Sequence, residues 1–291
     1  MNKVKFFFLT MRPKTLLAAF VPVFLGTVFA VYEGALFNRL FFFCALSSAL
    51  LIQISTNFFN DAVDFKKGSD GPERKGPPRA AQSGWFSYAE LMLWASFFAL
   101  LAVVVSMPIY AAFGIHFFFL AVISVFFAFS YTGGPFPLAY NALGELFVFI
   151  FFGLVATLGS FYLQSQVIDF EIFLLASQVG LFSCVLIAIN NLRDLEEDRS
   201  NNKKTLAVFL NELPFRWLCS LFILMAYFLN LFWMAKKVEF LIVLLACLPI
   251  SFYLLYHLNF SKKTKQYNHY LALSALQLLI FAISFVVALW V

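Results

Sequence analysis

The stretch QISTNFFNDAVDFKKGSDGPERKGPPR, residues 53–79, begins inside an apolar run and ends in a basic loop. Polar side chains recur along it every three or four positions and would share one face of a helix: Gln53, Asn57, Asp61 and Asp64, with Asn60 one turn before Asp64. A charged side chain at the centre of a membrane helix costs about 2.5–3.5 kcal/mol, and less towards the end of the helix. This face therefore needs a compensating partner, and oxygen ligands of this kind suit Mg²⁺.

The loop after this helix is rich in cations, which suit an anion such as diphosphate: Lys66, Lys67, Arg74, Lys75 and Arg79. An ordinary positively charged loop beside a membrane accounts for these lysines equally well. It accounts less well for two asparagines and two aspartates on one face of an apolar helix. The sequence therefore predicts a polar site at the end of this helix.

Composition excludes a soluble protein. The chain has 291 residues, of which 63% are hydrophobic and 12% charged, and its mean hydropathy is +0.88. Apolar runs of about 20 residues recur along its whole length, each long enough to cross a bilayer. We predict an all-α, polytopic membrane bundle with one domain over residues 1–291. The net charge of +5 does not indicate a nucleic-acid partner, because the basic residues fall in loops.

Nine spans are predicted, at about residues 15–33, 38–60, 87–108, 114–131, 142–164, 170–192, 215–235, 238–259 and 268–290. Ser87 and Glu90 form a capping-box pattern at the start of the third span. Polar loops occupy about residues 61–86 and 193–214. With a cytoplasmic N-terminus, 17 of the 20 basic residues lie on the cytoplasmic side, and the other three are Arg39, Lys236 and Lys237. This asymmetry favours an integral protein of the cytoplasmic membrane with both polar loops in the cytoplasm.

A second polar cluster follows the sixth span in the sequence IAINNLRDLEEDRSNNKKTLAVFL. Its acidic and amide residues lie on one helical face and basic residues come next: Asn190, Asp194 and Asp198, with Asn191 beside them, then Lys203 and Lys204. Glu196 and Glu197 are interpreted as solvated. Four carboxylates on the same membrane side would repel one another without cations, whereas divalent metal between them would form a clamp for a diphosphate.

These paired motifs resemble a known family. The pattern NDxxDxxxxxD at 60–70, together with NNLRDLEED at 190–198, is similar to the UbiA superfamily of intramembrane prenyltransferases. RPKTL at 12–16, KGSDxPxRxGPxR at 67–79 and NNLRDxxxDxxxxKxTLA at 190–207 resemble its 1,4-dihydroxy-2-naphthoate polyprenyltransferase branch, which acts in menaquinone synthesis. The resemblance covers the whole chain. This chain departs from the family pattern at residues 132–141, which carry no basic residue where many relatives have one.

The resemblance implies a polyprenyl diphosphate donor, an aromatic acid acceptor, a lipid environment and Mg²⁺ as cofactor. Implied metal ligands are Asn60, Asp61, Asp64, Asp194 and Asp198. Implied partners of the diphosphate and its metal-bound water are Asn57, Asn60, Asp70, Asn190 and Asn191, with the cations Lys66, Lys67, Arg74, Arg193, Lys203 and Lys204. Tyr131 would stabilise an allylic cation, or is simply an aromatic residue of the membrane interface. Arg12 and Lys14 would bind the carboxylate of the acceptor.

Two alternatives remain open from sequence. Within the fold, the acceptor would be hydroxybenzoate, homogentisate, haem or a lipid alcohol. From another class, a secondary transporter also holds ions at helix ends, although its site normally lies near the bilayer midplane. Here both polar clusters lie at one membrane surface, which favours chemistry on a cytoplasmic diphosphate.

Overall fold

The computed structural model describes residues 3–69, 76, 78–260 and 266–291. Regular structure in these residues is helical, apart from one isolated bridge between Asn141 and Lys204. The helices are α1 (Lys3–Thr10), α2 (Leu16–Tyr32), α3 (Arg39–Lys66), α4 (Tyr88–Val105), α5 (Met107–Phe113), α6 (Ile115–Ser130), α7 (Gly144–Val148), α8 (Gly159–Ser165), α9 (Phe170–Ser200), α10 (Leu206–Leu210), α11 (Glu212–Lys236), α12 (Leu241–Phe260) and α13 (Tyr267–Trp290). A π-helix, Phe149–Leu158, joins α7 to α8.

The predicted polytopic bundle is confirmed. Eight apolar helical stretches among the described residues are long enough to cross a membrane: Lys3–Tyr32, Arg39–Lys66, Tyr88–Phe113, Gly144–Ser165, Phe170–Ser200, Glu212–Lys236, Val238–Phe260 and Tyr267–Trp290. The fourth predicted span, α6, has 16 residues, fewer than the roughly 20 that a perpendicular span needs. The capping box of Ser87 and Glu90 is present at the start of α4. The Asn and Asp residues of both polar clusters lie within helices, because α3 and α9 continue past the predicted spans.

Helix α9 lies at the centre of the bundle. It contacts α2, α7, α10, α11, α13 and the π-helix, and 72% of its most apolar stretch is buried, the highest value among the eight spans. Gly153 and Gly180 allow the π-helix to approach it closely, since a Cβ atom on Gly153 would lie 2.7 Å from Cα of Gly180. Small residues commonly permit such backbone contact between membrane helices. The second polar cluster is therefore carried by the most enclosed helix of the protein.

Helix α3 is held mainly by α4, in a separate apolar core that includes Phe58, Leu91 and Phe98. Phe58 and Phe98 pack with ring centroids 5.7 Å apart. A larger core around Phe29, Trp233 and Phe285 packs α2, α11 and α13 against one another and against α9. Two rigidly packed helices thus carry the two polar clusters to the same end of the bundle, where α3 ends at Lys66 and α9 at Ser200. We call this the site end.

Candidate active site

A cavity of about 700 Å³ extends into the bundle from the site end. Its walls come from α2, α3, α6, the π-helix, α9 and α13. Polar side chains line the site end: Arg12, Lys14, Asn57, Asn60, Asp64, Arg79, Tyr131, Thr132, Asn190, Asn191, Lys203 and Asn268. The rest of the lining is largely apolar and aromatic. Along α3 the lining runs from Ala45 to Asp64, a length of about 28 Å at 1.5 Å per residue.

The first polar cluster begins where Asn57 ties α3 to the break between α1 and α2. Its side-chain amide donates to the carbonyl oxygen of Met11 (2.9 Å) and to the hydroxyl of Thr15 (3.0 Å). Asp61 then accepts hydrogen bonds from Arg12 (2.8 Å) and Arg79 (3.1 Å). Asp61 is buried and is not among the residues that line the cavity. It holds two arginines, which do line the cavity, in fixed positions.

Asp64 lies at the cavity wall and is also buried. The hydroxyl of Tyr140 donates to its Oδ1 atom (2.9 Å), and Arg79 donates to its Oδ2 atom (3.2 Å). Burial and the neighbouring Asp64 carboxylate both raise the pKa of Tyr140, so its phenol stays protonated and remains a donor. One turn earlier, the amide oxygen of Asn60 accepts a hydrogen bond from the Thr132 hydroxyl (2.9 Å).

The second polar cluster is organised by Arg193. Its guanidinium makes a bidentate contact with Asp194 (2.7 and 2.6 Å) and donates to the amide oxygens of Asn190 (2.8 Å) and Asn268 (3.0 Å). Asp194 is therefore neutralised by its own neighbour in the sequence. Asn190 lines the cavity, whereas Arg193 and Asp194 lie behind it.

Lys203 joins the two clusters. Its ammonium nitrogen lies 3.6 Å from a carboxylate oxygen of Asp64 and 3.6 Å from one of Asp198. Burial alone would lower the pKa of Lys203, but the two carboxylates outweigh burial and raise it above its ordinary value. Asp198 is only 4% exposed, and its carboxylate accepts no hydrogen bond from a described residue, so the ammonium group of Lys203 is the cation that compensates it.

The remaining predicted residues differ in whether they contact the site end, line the cavity or are exposed away from it. Lys67 donates to the carbonyl oxygen of Thr132 (2.6 Å) at the site end, and burial lowers its pKa. Lys14 lines the cavity and forms no hydrogen bond or ion pair with another described residue. Lys66 and Lys204 are exposed and do not line the cavity. Predicted Asp70 and Arg74, with Lys75, lie outside the described residues.

Sequence reasoning missed the contribution of the loop between α6 and α7. This loop lacks a basic residue, yet Thr132 and Tyr140 donate to Asn60 and Asp64, and the Tyr140 ring lies beneath Lys67 (4.1 Å from nitrogen to ring centroid). Hydroxyl residues are common in loops, so no local signal separates these two from others. Sequence reasoning also missed Glu145, a buried acid that accepts a hydrogen bond from Asn191 (2.8 Å), although an acid inside an apolar run is a signal that the sequence does offer.

The donor set fits a divalent cation of the Mg²⁺ type. In residues 3–69, 76, 78–260 and 266–291, no three carboxylate, histidine or cysteine side chains converge as a ready-made metal site. Mg²⁺ does not require one, because it is usually held by one or two carboxylates together with water and phosphate oxygens. Asp64 and Asp198, compensated across one ammonium group, provide two such carboxylates, and Asn60 and Asn190 add amide oxygens at the cavity wall.

Fold and site together define an integral membrane protein with a polar chamber at one end of an apolar cavity. Residues 19–276 match the sequence profile of the UbiA prenyltransferase family. The chain therefore belongs to the UbiA prenyltransferase family.

Two relatives carry the name 1,4-dihydroxy-2-naphthoate octaprenyltransferase. The protein from Escherichia coli is 38% identical over 71% of this chain and 69% of its own, and that from Haemophilus influenzae is 37% identical over 72% and 70%. Among solved structures, a UbiA homolog from Archaeoglobus fulgidus bound to DMAPP and Mg²⁺ superimposes with a TM-score of 0.64 at 13% identity, covering 95% of this chain and 99% of its own. An apo UbiA homolog from Aeropyrum pernix gives 0.68 at 14% identity, covering 94% and 97%.

Proposed function

We propose that this protein transfers a polyprenyl group from a polyprenyl diphosphate to 1,4-dihydroxy-2-naphthoate, with loss of CO₂, to form demethylmenaquinol. The observation that carries the proposal is the meeting of two Asn/Asp helix faces across Lys203 at the mouth of a long apolar cavity. The names of the two relatives that are 37–38% identical support the choice of acceptor.

The diphosphate binds at the site end. Asp64 and Asp198, with Asn60, would hold Mg²⁺, which neutralises charge on the diphosphate oxygens when bound. The Archaeoglobus homolog bound to DMAPP and Mg²⁺ supports this cofactor. Asp61 and Asp194 stay predicted metal ligands, although each now holds an arginine. Lys203 and Arg79 line the cavity and are the cations nearest the proposed diphosphate. Lys67 is exposed but contacts Thr132 and Tyr140 at the site end, whereas exposed Lys66 and Lys204 supply only long-range positive potential.

The reaction breaks the allylic C1–O bond, and the electron pair leaves with the diphosphate. The electron-rich ring of the acceptor forms the new bond at the carbon that carries its carboxylate. That carboxylate leaves as CO₂ and restores aromaticity, so no external oxidant or reductant is needed. Tyr131 lines the cavity, where its ring face would stabilise positive charge on the allyl group. The apolar walls exclude water, which would otherwise capture the cation.

The acceptor carboxylate is assigned to Lys14. The family resemblance implies Arg12 and Lys14 for this role, and both line the cavity. Arg12 donates to buried Asp61 (2.8 Å), whereas Lys14 has no hydrogen-bond or ion-pair partner among the described residues. The isoprenoid tail follows the apolar lining along α3 towards Ala45. The charge asymmetry of the loops supports placing the site end at the cytoplasmic face.

The test is product formation in isolated membranes. Membranes containing the protein receive a polyprenyl diphosphate, Mg²⁺ and, separately, dihydroxynaphthoate, hydroxybenzoate or homogentisate, and lipid products are identified by mass spectrometry. We expect a demethylmenaquinol-mass product with the naphthoate only, and none after EDTA treatment until Mg²⁺ is restored. A product with hydroxybenzoate but not with the naphthoate would refute the assigned acceptor, and full turnover in EDTA would refute the assigned cofactor.

A further inference from the structure

Glu145 is a buried acid for which the proposed reaction has no use. It lies in the first turn of α7, is only 3% exposed, and belongs to an otherwise apolar membrane span. Its Oε1 atom accepts a hydrogen bond from the side-chain amide of Asn191 (2.8 Å), and its buried Oε2 atom has no partner among the described residues. An acid in such a place is expensive, so its retention needs an explanation.

Its contact with Asn191 fixes the orientation of an amide in the cavity wall. Asn191 donates to the Oε1 atom of Glu145 through its NH₂ group, so this group faces Glu145. The amide oxygen of Asn191 therefore points away from Glu145, and it accepts no hydrogen bond from any described residue. Asn191 lines the cavity, whereas Glu145 does not. The pair therefore presents a single acceptor oxygen to whatever occupies the cavity.

Asn191 lies in the part of the cavity that contains Tyr131 and the second polar cluster. Tyr131 lines the same cavity, and its hydroxyl lies against Gly144, the residue before Glu145, at 3.0 Å from where a Cβ atom would stand. Asn191 follows Asn190, whose side chain belongs to the second polar cluster. Asn191 and Tyr131 thus line the same cavity, Asn191 next to a residue of the second polar cluster and Tyr131 against the residue before Glu145.

We propose that Glu145 is a positioning residue, which orients Asn191 so that its amide oxygen accepts a hydrogen bond from a ring hydroxyl of the aromatic acceptor. This role replaces the contact with the diphosphate that the family resemblance implies for Asn191. The inference rests on the proposed function and deepens it. The pair selects acceptors that carry a hydroxyl, because the amide oxygen can accept a hydrogen bond from a hydroxyl group but not from a methoxy group in the same place.

The experiment compares Glu145→Leu and Glu145→Gln with wild type in purified, detergent-solubilised protein. KM is measured separately for dihydroxynaphthoate and for the prenyl diphosphate, and thermal stability is recorded for each variant. Gln178→Leu is the matched control, since Gln178 is a fully buried polar residue of α9 whose partners, Trp233 and Ala226, lie away from the cavity.

We expect Glu145→Leu to raise KM for the acceptor about threefold to tenfold, the range for one lost hydrogen bond, and to leave KM for the diphosphate unchanged. Glu145→Gln, which still offers an oxygen to Asn191, should retain wild-type values within about twofold. The monomethyl ethers of the acceptor provide the second readout. Blocking the recognised hydroxyl should weaken thermal stabilisation of the wild type by the acceptor, and should make no further difference in Glu145→Leu.

Equal changes in both KM values, or a Glu145→Leu variant that discriminates against the methyl ethers as wild type does, would overturn the inference. If Glu145→Leu does not fold, Asn191→Leu tests the same oxygen from the other partner and must give the same selective rise in acceptor KM. The two proposals can be distinguished by how they fail. If the wild type neither binds nor prenylates a hydroxylated aromatic acid, both proposals are refuted. If the wild type prenylates the naphthoate and Asn191→Leu leaves the acceptor KM unchanged, only this inference is refuted.

Discussion

The ammonium nitrogen of Lys203 lies 3.6 Å from a carboxylate oxygen of Asp64, although the two residues belong to different polar clusters. The same nitrogen lies 3.6 Å from Asp198. All three side chains are largely buried, so their charges interact more strongly than they would in water. One cation thereby compensates two carboxylates, and the same lysine is placed to contact a diphosphate that arrives between them.

Replacing Lys203 with Met should reduce prenylation about tenfold to a hundredfold, the range for one lost charged hydrogen bond. It should also raise KM for the diphosphate, because a cation is removed from the proposed binding position. Lys204→Met is the matched control, since Lys204 is adjacent in sequence but exposed. Rates are measured per unit of protein in isolated membranes. Equal losses from the two substitutions would contradict the assigned role of Lys203.

The two carboxylates should act as one unit. Asp64→Asn and Asp198→Asn should each lower turnover about a hundredfold while the protein still inserts, because each keeps the shape and removes one charge. The double variant should be far less than multiplicatively worse, as for groups that act on one centre. Glu196→Gln, at an exposed position of the same helix as Asp198, should be near neutral. Multiplicative losses in the double variant would show that the two sites work independently.

Tyr140→Phe tests whether the loop between α6 and α7 shapes the site. The substitution removes the hydroxyl that donates to Asp64 and keeps the ring beneath Lys67. Loss of one such hydrogen bond should lower turnover about threefold to tenfold. Tyr110→Phe removes a hydroxyl that donates to the backbone of Val103, outside the cavity lining, and should leave turnover unchanged. Unaltered turnover in Tyr140→Phe would exclude a role for its hydroxyl.

Cysteine labelling tests the membrane orientation. The four native cysteines are buried, so background labelling should be low. Cysteines at Lys66 and Lys204, both exposed at the site end, should react only from the cytoplasmic side, and a cysteine at Leu36, 90% exposed between α2 and α3, only from the opposite side. An impermeant maleimide applied to intact cells and to inverted vesicles distinguishes the two. Labelling of Lys66 and Lys204 from outside would reverse the assignment.

Several contacts were decided only by the tertiary structure. Nothing in the sequence predicts the contact of Arg12 with Asp61, of Tyr140 with Asp64 or of Glu145 with Asn191. Each joins segments that are distant along the chain. Such pairings depend on which helices become neighbours, and residue spacing within one helix carries no information about that.

The sequence by itself determined the features that depend on local periodicity and hydropathy. Apolar runs of membrane length predict the polytopic bundle, and the three- and four-residue spacing of Asn and Asp places each polar cluster on one helical face. The choice between Lys203 and Lys204 shows where this information ends. Both lie after α9, where no helical period relates side chains to the cavity. The backbone carbonyl of Lys204 accepts a hydrogen bond from Ala142 (2.9 Å). That contact fixes the loop with Lys204 exposed and Lys203 turned towards Asp64 and Asp198.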